Sequence, residues 1–290
     1  MNYKRTLAPR LSFALGLAIL FTAAPAQAAS MSYEFFRGAD LPELGVSNYQ
    51  GVADARLNSG FFDNNGGGDH LFAGNPAGNL NVNRSLIRFD LSSLNGYTPD
   101  GPATLRLRVH QIIDMGSDDF IDLHVIHPTN AGWVEGNGAF SASSPAADDG
   151  ENTWGHFAYD DTPGDRVPWV NAAGTGDFPG LGAPGQGYEL LPIDSVNQAS
   201  YTVGDYVNFE IPAEVIEQMI NDPFAGLLLR MRTEETGRIA FNPSEAGTAI
   251  RPTLTINASL APAVPEPSML VLLLGLAAAS VPMLLRRRRL

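Results

Sequence analysis

The sequence predicts an all-β body: a jelly-roll β-sandwich of antiparallel strands with one short helix, between an N-terminal signal peptide and a C-terminal transmembrane helix. Three observations predict it. Apolar and polar residues alternate in several short runs through the middle of the chain, the period of strands with one buried and one wet face. Gly, Pro, Asn and Asp punctuate those runs. Apolar stretches stand at both ends, each beside basic residues.

At the start, Lys4, Arg5 and Arg10 flank an apolar run from Leu11 to Ala24, too short to be a comfortable membrane span. Ala26-Gln27-Ala28 fits a small-x-small cleavage site, so residues 1–28 read as a signal peptide and 29–260 as the body. The first clear strand is Leu86-Ile87-Arg88-Phe89-Asp90-Leu91, with Ile87, Phe89 and Leu91 facing in and Arg88 and Asp90 facing out. In residues 103–110, Leu105, Leu107 and Val109 face in while Arg106, Arg108 and His110 face out. Val207, Phe209 and Ile211 form the inward face of the next such run. Leu227, Leu229 and Met231 alternate with Arg230 and Arg232, and Leu254 and Ile256 alternate with threonines. One helix is predicted over residues 212–220, where Val215, Ile216, Met219 and Ile220 share a stripe and Pro223 stops the run. Many strands with one helix point to a sandwich of jelly-roll type. Residues 136–187 are rich in Gly, Pro, Ala and Asp, lack periodicity, and read as a long loop insertion.

Charge and cysteine narrow the function. Three of the 18 basic residues lie in the signal segment and four in residues 286–289, leaving 11; only Glu266 of the 31 acidic residues lies in the tail, leaving 30, so the body carries a net charge of about −19. Such a body repels nucleic acid, whose binding rests on phosphate neutralisation. It also repels anionic polysaccharide unless a divalent cation bridges the two. With no cysteine, thiol nucleophiles, disulfides and thiolate zinc sites are excluded, and an exported fold must be held by its core or by core plus metal ions.

Three acidic loops group hard oxygen ligands of the kind calcium takes: Asp63, Asn65 and Asp69; Asp118 and Asp119; and Asp148, Asp149 and Glu151. Their plain alternative is solvated surface. Trp154, Tyr159 and Trp169 are the candidate carbohydrate-stacking residues, since aromatic faces combine apolar area with a polar tip; Trp133 reads as a core residue. His124 and His127, three apart on a strand, should point to opposite faces, one structural and one exposed. Arg106, Arg108, Arg230 and Arg232 would line one outer face, paired with acidic neighbours, if their strands adjoin. No G-x-S-x-G elbow or H-E-x-x-H motif is present, so no catalytic residue is assigned.

The order of several motifs resembles a known family. Ala53-Asp54-Ala55-Arg56-Leu57 is followed by an Asn/Gly-rich loop and Asp69-His70-Leu71-Phe72-Ala73-Gly74. Then come Arg84-Ser85-Leu86-Ile87-Arg88-Phe89-Asp90-Leu91, Trp133-Val134-Glu135-Gly136, Phe241-Asn242-Pro243-Ser244-Glu245 and Arg251-Pro252-Thr253-Leu254. This series, over roughly residues 49–258, resembles the DNRLRE-type secreted β-sandwich domain. The resemblance implies a jelly roll related to carbohydrate-binding modules, with calcium often implicated. The chain departs from the family in its long 136–187 insertion and in Pro243-Ser244 before Glu245, where Ser-Arg or Ser-Lys is commoner.

The tail, residues 261–290, resembles the PEP-CTERM sorting signal: Val264, Pro265, Glu266 and Pro267 form the motif, residues 269–285 the transmembrane segment and four arginines the stop. Seventeen helical residues would span only about 26 Å, and the arginines hold the end in the cytoplasm. The resemblance implies processing by an exosortase-type protease in a Gram-negative bacterium that makes exopolysaccharide. The expectation is a non-enzymatic cell-surface or matrix protein, transiently held in the inner membrane, that binds exopolysaccharide and no nucleic acid. Calcium is the only cofactor expected. The alternatives are an exported polysaccharide-degrading lyase or glycosidase, and a structural envelope protein without a specific ligand.

Overall fold

The computed structural model describes residues 29–60, 66–75, 81–113, 119–138, 147–234 and 237–261. The signal segment, Asp63, Asn65, Asp118, the sorting motif and the apolar tail lie outside the described residues. The body is antiparallel β-sheet with one α-helix. In chain order its strands are β1 (Met31–Phe35), β2 (Val52–Asn58), β3 (Leu71–Gly74), β4 (Asn83–Phe89), β5 (Tyr97–Pro99), β6 (Ala103–Ile113) and β7 (Phe120–Val125). A short hairpin, β8 (His156–Ala158) and β9 (Val167–Pro168), follows. Then come β10 (Asp194–Asn197), β11 (Tyr206–Ile211), the helix α1 (Ala213–Asn221), β12 (Leu227–Met231), β13 (Arg238–Phe241) and β14 (Thr253–Leu260). Among the described residues, no helix is long and apolar enough to cross a membrane.

Twelve strands form one hydrogen-bonded sheet in the order β1-β14-β6-β13-β3-β4-β12-β7-β10, with β11 beside β6, β2 beside β4 and β5 beside β14. The sheet curls on itself through β6. Residues 103–108 of β6 pair with β11, and residues 109–113 run against β13. The β13 pairing slips a register between Ala240 and Phe241, opposite His110. A bulge of this kind bends a strand and increases its twist.

The main core fills the space inside the curl. Ile87, Phe89, Leu107, Phe209 and Leu229, all inward by their alternation, are fully buried there. The β11 pattern is strictly exposed-buried over its six residues. Helix α1 follows directly: Pro212 occupies its N-cap, Glu214 favours the positive end of the helix dipole, and Ile216, Met219 and Ile220 enter the core. Burying each of those three side chains contributes roughly 1.5–3 kcal/mol as an upper estimate.

The other half of the sheet departs from the expected half-wet pattern. All seven residues of β2 and all five of β12 are buried, as are all of β4 but Arg88. A second core explains this. Ala53, Ala55, Leu57, Leu86 and Leu228, on the outer face of β2, β4 and β12, pack against Trp133, Trp169, Leu181 and Tyr188. Residues 147–187, expected as part of a loop, therefore form with Tyr188 a third layer containing the β8–β9 hairpin. Arg230, expected on a wet face, is buried under this layer and donates from Nη1 to the Tyr188 hydroxyl at 3.0 Å. His124 and His127 are both buried, contrary to the expectation of one exposed ring. The chain leaves β7 after Val125, so strand alternation no longer separates them, and both meet Glu189: His124 Nδ1 lies 3.0 Å from its carbonyl and His127 Nδ1 lies 3.3 Å from its carboxylate.

The four arginines expected on one face are split. Strand β6, with Arg106 and Arg108, pairs with β11, β13 and β14, whereas β12 pairs with β4 and β7. Arg232 does make the expected cross-strand pair, to Asp122 at 2.8 Å.

Candidate functional site

Among the described residues, strand β2 is a sheet edge, paired only with β4. Edge backbone groups need partners, and two side chains supply them. Arg37, just after β1, donates from Nη2 to the Val52 carbonyl at 3.0 Å. Glu135 accepts the Asp54 N–H on Oε1 at 3.1 Å. Arg37 also joins the two flanking carboxylates, bonding Glu135 Oε2 at 3.1 Å and Glu245 through Nη1.

The side chain of Asp54 completes the cluster. It is only 1% exposed. Its Oδ2 accepts the backbone N–H of Ser244 at 2.8 Å, and its Oδ1 is buried with no hydrogen-bond partner. One carboxylate oxygen from each of Asp54, Glu135 and Glu245 lies within 4.8 Å of the others. Burial drives the Asp54 pKa well above the usual carboxylate range, with Glu245 and Glu135 adding repulsion. Burial also pushes Glu135 up to about 7, opposed by the Asp54 N–H and by Arg37.

Arg37 and Glu135 also border an open cleft of about 330 Å³, with Gln50, Arg88, Asp90 and Phe224 around its wall. Phe224 is 53% exposed although large and apolar. The Arg88 guanidinium lies over the Trp133 ring at 4.9 Å and the Phe224 ring at 5.7 Å. The wall therefore offers guanidinium and amide donors, a carboxylate acceptor and an aromatic edge. Few convergent polar groups beside an apolar surface suit a polyhydroxylated ligand.

The residues expected to stack sugars are not brought together in this way. Trp169 is fully buried, and its indole N–H donates to the Thr153 carbonyl at 2.9 Å, so it offers no face to a ligand. Trp154 is half-buried, held between Arg84, 5.4 Å from its ring, and Gly180, where no Cβ would fit. Tyr159 is half-buried; Arg166 lies over its ring at 4.6 Å and donates to its hydroxyl at 3.2 Å. Trp133 is in the core, as its position predicts.

The acidic loops largely serve their own backbone. Glu151 accepts the Asn137 and Asp148 N–H groups at 3.2 and 2.9 Å. Asp149 accepts from the Asp161 N–H at 3.1 Å, and Asp119 from the Thr233 hydroxyl at 3.0 Å. Asp69 is exposed. The convergent carboxylates are those that sequence reasoning passed over. Asp54 lies 81 residues from Glu135 and 190 from Ser244, so spacing gives no signal. The available clue was a charged residue in Val52-Ala53-Asp54-Ala55, a run otherwise apolar.

A scan against models of known protein families finds no match, and no curated protein matches the chain.

Proposed function

We propose that this is an exported, non-enzymatic cell-surface or matrix protein whose β body binds exopolysaccharide in the cleft beside β2. In this reading the curled sheet is a jelly-roll sandwich of the DNRLRE type. Residues 1–28 direct export. The PEP-CTERM-like tail holds the chain in the inner membrane until an exosortase-type protease cuts near Val264, Pro265, Glu266 and Pro267.

The observation that carries the binding reading is Phe224, exposed at the wall of a cleft whose other arms are Arg37, Gln50, Arg88 and Asp90. An aromatic side chain left in water beside convergent donors and acceptors is the arrangement sugars use, because their C–H faces stack while their hydroxyls hydrogen-bond. The excess negative charge of the body favours neutral polysaccharide, or an anionic one bridged by divalent cations, and argues against nucleic acid.

The test is binding of the full chain, in mild detergent, to the polysaccharide secreted by the source cells. Saturable retention without new reducing ends or unsaturated products supports the proposal. Product formation would make the protein a polysaccharide-degrading enzyme. Absence of retention on any polysaccharide would leave a structural envelope protein.

A further inference from the structure

We propose that Asp54, Glu135 and Glu245 bind one divalent cation, calcium by their chemistry, which ties the β2 edge to the Trp133 stretch and to the turn after β13. The glycan reading is not needed for this inference.

Geometry comes first. One oxygen from each of the three carboxylates falls within 4.8 Å of the others, close enough to share an ion with ligand distances of about 2.3–2.6 Å. Independently, Asp54 Oδ1 is buried without a partner, although its sister oxygen is bonded to the Ser244 N–H. A buried acceptor left bare is costly, and a carboxylate oxygen more so than a neutral one. An ion at the cluster supplies what that oxygen lacks.

Charge favours a cation at this place. Ionised, the three carboxylates carry three negative charges; Arg37 touches Glu135 and Glu245, and Arg88 lies close enough to Glu135 to feel its charge. A divalent ion shared by the three oxygens offsets their mutual repulsion more than a monovalent one does.

Ligand type and access select the metal. All three donors are carboxylate oxygens, which suit hard cations and disfavour zinc or copper. The donor set is irregular, with two of the carboxylates also bonded to Arg37. Calcium tolerates such geometry, whereas magnesium demands an octahedron and holds its water. The Glu245 side chain is 38% exposed, giving an entry path and room for water ligands. Gly66 lies against the Glu135 carbonyl with no space for a Cβ, so the end of the preceding Asn/Gly-rich loop buttresses the cluster from another side.

The test uses the full chain in mild detergent, stripped with chelator and titrated calorimetrically with calcium chloride, with thermal unfolding followed in parallel. One saturable site per chain is expected. The midpoint of unfolding should rise by several degrees in millimolar calcium, less in magnesium, and not in sodium at matched ionic strength. Asp54→Asn, which keeps an acceptor for Ser244, should lose both responses. Glu245→Gln sits at the exposed end, should fold as the natural chain does, and should weaken calcium binding at least tenfold. Asp148→Asn together with Asp149→Asn should bind as the natural chain does. The inference is overturned if no saturable binding is seen, if binding survives both Asp54→Asn and Glu245→Gln, or if sodium and calcium act alike. Shared protons alone would then neutralise the cluster.

Discussion

Asp54 Oδ2 accepts the backbone N–H of Ser244 at 2.8 Å, joining the second strand to the turn after the thirteenth across 190 residues of chain. Both groups are buried. Removing the acceptor strands the Ser244 N–H, a loss of roughly 1–3 kcal/mol. In chelator, Asp54→Ala should therefore unfold at lower urea than Asp54→Asn, which retains an oxygen at that position. Equal midpoints for the two variants would mean that this bond does not hold the turn.

A second prediction concerns the layer over the outer face of the sheet. Arg84 forms a two-point pair with Glu234, Nε to Oε1 at 2.7 Å and Nη2 to Oε2 at 2.8 Å, and its Nη1 reaches the carbonyls of Gly180 and Gly182 in the covering layer. Glu234 keeps its contact with Arg230 Nε at 3.3 Å when Arg84 is removed, but the carbonyls of Gly180 and Gly182 lose their donor, at a cost of roughly 1–3 kcal/mol. Arg84→Met should lose stability in that range, and Glu234→Leu, which unpairs both Arg84 and Arg230, should lose more. Denaturant midpoints at unchanged slope measure both.

The strands flanked by alternating residues were legible in the sequence because one face of each meets the core and the other meets water. Residues 103–109 and 206–211 behave in this way. Strands β4 and β12 did not, since Arg88 and Arg230 look like a wet face in sequence. Only the fold shows Arg230 covered by Tyr188 and Arg88 lying over Trp133. The covering layer itself has little periodicity, because it is held by a few large side chains such as Trp169 and Leu181 rather than by a repeating stripe. The acidic loops stood out by local density, yet the convergent carboxylates come from three distant segments. Proximity of that kind is written in topology, and a local reading of charge does not detect it.

The third prediction follows from His124. Burial holds its pKa below the ordinary imidazole value, with Arg230 and Arg84 acting in the same direction and Glu189 and Asp122 against it. The unfolded chain takes up a proton near pH ~6.5 that the folded chain resists. The contribution of neutral His124 to stability is therefore present above about pH 6.5 and is lost as pH falls below it. His124→Gln should flatten the decline of stability between about pH 6.5 and 5 relative to the natural chain. His70 and His156 are shifted the same way and add to the decline, whereas Glu135 and Asp54, held above their ordinary range, gain stability as pH falls and oppose it, so the readout is the difference in slope between the two chains. An unchanged slope in the variant would contradict the assignment.

The sorting reading predicts a defined end. Mass spectrometry of the protein released at the cell surface should find a C-terminus near Val264, Pro265, Glu266 or Pro267, with the N-terminus at Ala29. A mature chain that still carries the arginines at 286–289 would rule out processing of the tail.

Glycan binding at the β2 cleft is tested most directly by comparing the natural chain with Phe224→Ala and Gln50→Ala on immobilised polysaccharide from the source cells. Both side chains are exposed, so the variants should melt with the natural chain. The Phe224 ring supplies a large apolar contact face at the cleft wall. Phe224→Ala should therefore weaken retention several-fold or more, and Gln50→Ala by a smaller factor, while Tyr159→Ala on the β8–β9 hairpin should leave it unchanged. Retention that is intact in Phe224→Ala and lost in Tyr159→Ala would place the glycan on the hairpin and contradict the cleft.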